Sequence, residues 1–150
     1  MLYFLLMKRK ELINLSFRIN RLILKNGKLS KISLLTDRIG LSLTKEVKKK
    51  NPLIIFYKAV ENIMPFFLLK NKRIGKRIII SPSFILSIYY RQSLGIKWLI
   101  EAALNKKGCF YDNFILEILE AYNNKGSVKR RQKDLNTVVL DNKSNLKYRW

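Results

Sequence analysis

The chain has 150 residues and 48% hydrophobic content, which is enough for one domain with its own core and argues against disorder. Its 31 Lys and Arg residues against 10 Asp and Glu give a formal net charge of +21, so a polyanionic partner is expected, usually nucleic acid and less often a membrane surface. The lack of histidine and the single Cys109 exclude an internal disulfide framework and argue against hydrolase triads and zinc sites.

The beginning of the chain is predicted to be an N-terminal extension (residues 1–13) that precedes a helical domain (residues 14–150). Residues 1–7 are apolar and residues 8–10 are basic, which reverses the order found in a secretory signal. No window reaches the roughly 18 uninterrupted apolar residues of a membrane-spanning helix. We therefore expect neither a signal peptide nor a transmembrane segment.

Three helices are predicted in the first part of the chain, because apolar side chains recur there at helical spacing. The first covers residues 14–25 and ends at Gly27, which can adopt a left-handed backbone. The second follows Ser30, a candidate N-cap, and the third begins at Pro52 and ends before Pro65. Their apolar faces are expected to pack on one core.

Three more helices are predicted in the second half of the chain. A long helix covers residues 87–106, with Trp98 in the core and Arg91 on the surface. Asp112 is the candidate cap of the next helix, and Ser127 is the candidate cap of the last.

A β-hairpin is predicted between the third and fourth helices, at about residues 66–85. Two apolar, β-favouring runs, residues 66–69 and 78–80, flank a polar tip in which Gly75 provides the positive φ of a tight turn. The predicted fold class is therefore mainly α, a single domain of about six helices with a projecting two-stranded β-hairpin arm. The tip indicates contact with a polyanion, with an ordinary solvated turn as the alternative. Its five cations are Lys70, Lys72, Arg73, Lys76 and Arg77.

The start of the last helix is the second concentration of positive charge. Cations in the first turns of a helix oppose its dipole by about 0.3–1 kcal/mol each, and external phosphate would reverse that effect. The four cations are Lys129, Arg130, Arg131 and Lys133. At the end of the chain Lys147, Tyr148, Arg149 and Trp150 alternate cations with aromatic rings, which suits stacking on bases beside phosphate contacts, with a frayed terminus as the alternative.

Six segments follow one another in a recognisable order and spacing. They are Ile-Leu-Lys-Asn-Gly-Lys-Leu-Ser at residues 23–30, Ala-Val-Glu-Asn-Ile-Met-Pro at 59–65, Lys-Arg-Ile-Gly at 72–75, Lys-Trp-Leu-Ile-Glu-Ala-Ala at 97–103, Asn-Asn-Lys-Gly-Ser-Val-Lys-Arg-Arg at 123–131 and Tyr-Arg-Trp at 148–150. Over about residues 17–150 the chain resembles the bacterial-type small-subunit ribosomal protein seven. It departs from that family where apolar residues 1–7 replace a basic extension, where Lys76 replaces a second glycine of the tip, and where residues 78–88 are more apolar.

The resemblance implies a structural protein that binds the 3′ major (head) domain of small-subunit rRNA early in assembly. Its arm and C-terminal helix would line the path of exit-site tRNA and mRNA, and neighbouring head and platform ribosomal proteins would be its other partners. No catalysis, metal, cofactor or small-molecule substrate is expected. The residues predicted to contact rRNA are Lys8, Arg9, Lys10, Lys25, Lys28, Lys70, Lys72, Arg73, Lys76, Arg77, Arg91, Lys129, Arg130, Arg131 and Lys133. The residues predicted to lie near tRNA or mRNA are Ile74, Gly75, Lys147, Tyr148, Arg149 and Trp150.

Composition also bears on where the protein works. Lys, Asn and Ile are frequent whereas Gly (6), Pro (3) and His (0) are scarce, a bias typical of an A/T-rich genome. With the resemblance, this predicts an organelle-encoded protein of the mitochondrial small ribosomal subunit, with a plastid or the cytoplasm of a bacterial endosymbiont as alternatives. The alternative function is a basic peripheral protein on an anionic membrane, anchored by residues 1–7. An enzyme is not expected, because the acidic residues Glu61, Glu101, Asp112, Glu117 and Glu120 are scattered along helices and suggest no paired site.

Overall fold

The computed structural model describes residues 14–24, 27–46 and 51–147. Within these ranges it contains six α-helices and one antiparallel pair of strands, which confirms the predicted fold class. The elements in chain order are α1 (residues 14–23), α2 (Leu29–Glu46), α3 (Pro52–Ile63), β1 (Phe67–Ile74), β2 (Arg77–Phe84), α4 (Ile88–Asn105), α5 (Phe110–Tyr122), α6 (Ser127–Asp141) and a 3-10 helix (Lys143–Lys147). The predicted extension, residues 1–13, lies outside the described residues.

Helix α3 begins and ends where the sequence predicts. The side chain of Asn51 accepts a hydrogen bond from the N–H of Leu53 at 3.0 Å, and Pro52 is the first helical residue. At the other end the N–H of Met64 donates to a carbonyl of the last turn at 2.9 Å, and Pro65 has no N–H with which to extend the helix. The chain therefore leaves α3 directly into the arm.

Three other predicted caps lie inside the helices that they were expected to precede. Ser30 is in the first turn of α2. Asp112 is in the first turn of α5, whose N-cap is Cys109. Ser127 is the first residue of α6, and its hydroxyl donates to the carboxylate of Glu117. A capping side chain can be diverted by a tertiary partner, so its presence alone does not fix where a helix begins.

The core is built around α3 and α5. The ring of Phe114 packs against Phe56 at 6.5 Å and against Phe110 at 5.4 Å between centroids. Trp98 of α4 is buried, as predicted, with 7% of its surface exposed. The remaining members of the core are Leu15, Ile19, Ile39, Leu43, Ile55, Ala59, Val60, Ile63, Ile96, Leu99, Ala103, Ile115, Ile118, Ala121 and Val128. Every α-helix contributes to this core, so the helices form one body on which the arm is mounted.

A buried carboxylate joins the end of α4 to α5 and to the start of α6. Glu117 is 1% exposed and accepts hydrogen bonds from Lys106 Nζ at 2.8 Å and from the hydroxyl of Ser127 at 3.1 Å. The hydrogen bond to Glu117 is the main reason why the pKa of Lys106 is raised. A buried carboxylate without partners would be costly, so these two donors help to fix the position at which α6 begins.

The two strands of the arm pair antiparallel along their whole length, from Phe67 opposite Phe84 to Ile74 opposite Arg77. Both strands are longer than the predicted runs of residues 66–69 and 78–80, and four of the cations assigned to the tip belong to the strands. Gly75 has the predicted positive φ, 61°, at the first position of a two-residue turn. The cations are therefore spread along a ribbon instead of being gathered at its tip.

Candidate nucleic-acid interface

The register of the arm sorts its side chains onto two faces. Residues directly opposite each other share a face, and successive residues of a strand alternate between faces. Lys70 and Lys72 of β1 therefore lie on the same face as Arg77 of β2, and we call these three residues the basic face. Arg73 lies on the other face, opposite Ile78. Most of the positive charge of the two strands is thus presented in one direction.

Three cations of the arm are available to a partner. Lys70, Lys76 and Arg77 are exposed, and none of these three forms an ion pair with a carboxylate in the described part of the chain. Nε of Arg73 donates to the carbonyl of Gly75 at 3.2 Å, which keeps its guanidinium near the turn. Like charges in a row repel one another until an anion neutralises them, and phosphate is the anion that a row of Lys and Arg suits best.

The base of the arm is held by side chains from α4 and α6. The last carbonyls of a helix have no partner inside the helix, and those that end α3 and lead into β1 find donors elsewhere. Three side chains donate hydrogen bonds to these carbonyls: Lys129 Nζ to that of Asn62 (2.5 Å), Gln132 Nε2 to that of Met64 (3.0 Å) and Arg91 Nε to that of Pro65 (3.1 Å). These bonds fix the direction in which the arm leaves the body.

Two of the predicted RNA-contacting residues therefore have a structural task. Arg91 is half-buried and its guanidinium lies 3.7 Å from the centroid of the Phe66 ring, so the prediction that it is left on the surface is wrong. Lys129 is also half-buried, and burial together with the charge of Lys133 lowers its pKa. Both side chains are long enough to turn inward to a carbonyl. Direct contact of either residue with RNA stays a prediction.

The four cations at the start of α6 fall into two groups, one bonded within the protein and one exposed. Arg131 pairs with Glu101 at 2.6 Å, and its guanidinium lies 4.9 Å from the ring of Trp98. With Lys129 bonded to the end of α3, two of the four cations are engaged within the protein. Arg130 and Lys133 are exposed. The unfavourable interaction with the helix dipole is thus relieved in part by the fold, and Arg130 and Lys133 remain available for phosphate.

The 3-10 helix folds back along β2. Nδ2 of Asn145 donates to the carbonyl of Ile80 at 3.1 Å, and the hydroxyl of Ser81 donates to the carbonyl of Asn145 at 3.3 Å. Ser81 is the register partner of Lys70, so the exposed Lys143 and Lys147 are brought beside the arm. Lys143 is not among the residues predicted from the sequence, because a five-residue 3-10 helix has no periodicity that a sequence pattern can show.

The family model described as ribosomal protein S7p/S5e matches residues 9–143, which is 135 of the 150 residues. The chain belongs to this ribosomal protein family. Membership of the S7p/S5e family confirms the resemblance drawn from the six segments. It also confirms the expectation that the protein is structural and not an enzyme.

Several bacterial relatives are named small ribosomal subunit protein uS7. That of Nitrobacter winogradskyi is 33% identical over 112 residues, which cover 74% of this chain and 71% of the relative. Those of Thermotoga neapolitana and Thermotoga maritima are 35% and 33% identical over 109 residues, which cover 72% of this chain and 70% of each relative. The S7p/S5e assignment thus rests on most of the chain and not on one motif.

The remaining predicted residues of this S7p/S5e chain fall into two groups. Lys28 is exposed before α2, and Ile74 and Gly75 form the exposed end of the arm. The others lie outside the described residues: Lys8, Arg9, Lys10, Lys25, Tyr148, Arg149 and Trp150.

Within residues 14–24, 27–46 and 51–147, no group of three or more His, Cys, Asp or Glu residues could hold a metal ion. In the same ranges, no helix is both long enough and apolar enough to cross a membrane.

Proposed function

We propose that this protein binds the 3′ major domain of small-subunit rRNA and supports assembly of the head of the small ribosomal subunit. It is a ribosomal protein by family, and its relatives are named as proteins of the small subunit. The observation that carries the proposal is the basic face of the arm, Lys70, Lys72 and Arg77, with Lys143 and Lys147 beside it. Asn145 holds the 3-10 helix against β2, and we infer that these five cations bind phosphate together.

Recognition depends mainly on the shape and backbone of a folded RNA. The major groove of A-form RNA is too deep and narrow for side chains, whereas phosphates are accessible to Lys and Arg. A two-stranded ribbon is marginally stable alone in water, but here it is fastened to the body at Asn62, Met64 and Pro65. An arm that is already oriented loses less conformational entropy on binding.

The turn of the arm and the C-terminal residues line the path of exit-site tRNA and mRNA in this proposal. The turn contributes Ile74 and Gly75, and the C-terminus contributes Lys147 with residues 148–150. Support comes from the bonds between Asn145 and β2, which bring the end of the 3-10 helix next to the arm. Neighbouring proteins of the head and platform are the remaining partners.

We infer that the ribosome in question is mitochondrial. The support is compositional, since a chain with six glycines, three prolines and no histidine has the bias of an A/T-rich genome. A plastid and the cytoplasm of a bacterial endosymbiont are the alternatives. The sequence of the rRNA that purifies with the protein distinguishes the three.

Affinity of the isolated protein for 3′ major domain RNA should fall steeply as salt rises. Each neutralised phosphate contributes a log–log slope of roughly −0.7 to −0.9, so five neutralised phosphates give about −3.5 to −4.5. Filter binding at several salt concentrations measures the slope. An affinity that does not change between low and moderate salt would show that phosphate contacts do not drive binding.

Replacing Asn145 with Ala should weaken RNA binding without unfolding the body. The variant loses the hydrogen bond to Ile80, which is worth about 0.5–1.5 kcal/mol. That bond keeps Lys143 and Lys147 beside the arm. We expect a roughly two- to tenfold loss of affinity and a melting temperature within about 5 °C of the parent protein. Asn136→Ala, at an exposed position of α6, is the control. Equal affinities for the two variants would show that the position of the 3-10 helix does not matter.

A further inference from the structure

The segment that runs from β2 into α4 carries no charge. Residues 78–90, which we call the apolar stretch, contain no Lys, Arg, Asp or Glu, although charged residues make up 27% of the chain. They follow directly after Arg77 and end directly before Arg91. In so basic a chain, a run of 13 residues without a cation indicates a surface that does not face phosphate.

Seven large side chains of the apolar stretch are nevertheless exposed to solvent. Leu86 is 87% exposed, Ile78 71% and Tyr89 60%. Burial of apolar surface is worth about 25 cal/mol per Å², and a large exposed apolar patch marks an interaction site. The other exposed apolar side chains of the stretch are Ile80, Phe84, Ile88 and Tyr90.

The register separates the part of this surface that lies in β2 from the basic face. Ile78, Ile80 and Phe84 share a face of the arm, and the basic face is the opposite one. Three of the four cations in the strands are on the basic face, whereas the other face carries Arg73 together with these large apolar side chains. A partner on the apolar side would not compete with RNA on the basic side.

Arg73 and Arg18 lie beside the apolar stretch in space. Arg73 is the register partner of Ile78. The guanidinium of Arg18 lies 4.8 Å from the ring of Tyr89 and donates to Oε1 of Gln92 at 2.7 Å. A complementary surface would be apolar at its centre, with carboxylates at its edge to meet these cations.

RNA matches that description poorly, because residues 78–90 have no cation for phosphate and four of their seven exposed apolar side chains are isoleucine or leucine, which cannot stack on bases as aromatic rings do. Protein interfaces do match it, since their centres are apolar and poor in charge and their rims are polar. We propose that the apolar stretch binds a neighbouring protein whose surface is apolar at the centre and acidic at the edge. The inference rests on the proposed function, because assembly of the small subunit brings that neighbour against the arm.

A photo-crosslinking amino acid, p-benzoylphenylalanine, tests the two faces separately. It is placed at Ile78 on the apolar side or at Ile79, the next residue, on the side of the basic face. A third variant carries it at Leu86, outside the strands, in case the bulky group at Ile78 blocks incorporation. Each full-length chain is expressed in cells, small subunits are purified and irradiated, and adducts of the chain are digested with RNase or protease and identified by mass spectrometry.

The adduct from Ile78 or Leu86 should survive RNase and contain a peptide of a different protein, whereas the adduct from Ile79 should disappear on RNase treatment. An RNA adduct, an adduct to a second copy of this chain, or no adduct at Ile78 and Leu86 while Ile79 reacts with RNA would overturn the inference and leave the proposed function intact. Absence of every variant and of the parent chain from small subunits would instead refute the proposed function, and the inference with it.

Discussion

Replacing Lys70, Lys72, Lys76 and Arg77 together with Ser is expected to weaken binding to 3′ major domain RNA strongly and to leave the helical body intact. Each exposed ion pair contributes about 0.2–1 kcal/mol to binding. Loss of four ion pairs with phosphate should therefore cost about 0.8–4 kcal/mol of binding free energy, which lowers the affinity roughly 4- to 1000-fold. The magnitude of the salt slope should fall by about one for each phosphate that the variant no longer neutralises. Thermal unfolding should be unchanged, because these side chains do not belong to the core.

The matched control removes the same charge from the body. Lys31, Arg38, Lys45 and Lys107 are exposed, and they are likewise three lysines and one arginine. Their joint replacement with Ser should reduce affinity only through the lower net charge, with nearly the same salt slope. Equal reductions of affinity and slope in the two variants would mean that total charge matters and that the arm has no special place in binding.

Trp98→Ala is expected to act on folding and not on RNA contact. Removal of a buried Trp costs about 3–5 kcal/mol, and in a chain of this size 1 kcal/mol lowers the melting temperature by about 2–4 °C. The ring is 7% exposed and also supports the guanidinium of Arg131. We therefore expect a melting temperature lower by roughly 6–20 °C, measured by circular dichroism, and near-normal RNA affinity well below that temperature.

Tyr89→Ala is the control for loss of an aromatic ring, because Tyr89 is 60% exposed. Its melting temperature should change much less than that of Trp98→Ala. An unaltered melting temperature for Trp98→Ala, combined with impaired RNA binding, would move Trp98 from the core to the interface.

Local chemistry is the part of the fold that the sequence predicted well. Pro52 and Pro65 lack an N–H, and Gly75 tolerates a positive φ, so each acts through its own backbone whatever surrounds it. The apolar side chains at helical spacing predicted the helices equally well, because they pack on one common core. Trp98 is in the core for this reason.

The sequence could not show which side chains would bond to distant parts of the fold in place of their expected local partners. Ser127 has the side chain of a helix cap, but its hydroxyl donates to the buried carboxylate of Glu117. Arg91 and Lys129 are of the residue types that bind phosphate. Their side chains instead donate hydrogen bonds to the carbonyls of Pro65 and Asn62. Charge alone does not indicate which way a long side chain turns.

The geometry of the arm could not be predicted from the sequence. Lys and Asn disfavour strands by propensity, so the predicted strands stopped short of the residues that the structure pairs. The two faces of the arm follow from the register, which a sequence without a fixed turn does not define. Lys143 joins the surface only because Asn145 bonds to β2.

The most direct measurement is ultraviolet crosslinking of the full-length protein to RNA in its own cells, followed by purification of the protein and sequencing of the attached RNA. We expect small-subunit rRNA to dominate, with crosslink sites in the 3′ major domain, and we expect those sites to be depleted when Lys70, Lys72, Lys76 and Arg77 are replaced with Ser. Crosslinks spread over cellular RNA in proportion to its abundance, and unchanged by that replacement, would contradict a specific role in the head of the small subunit.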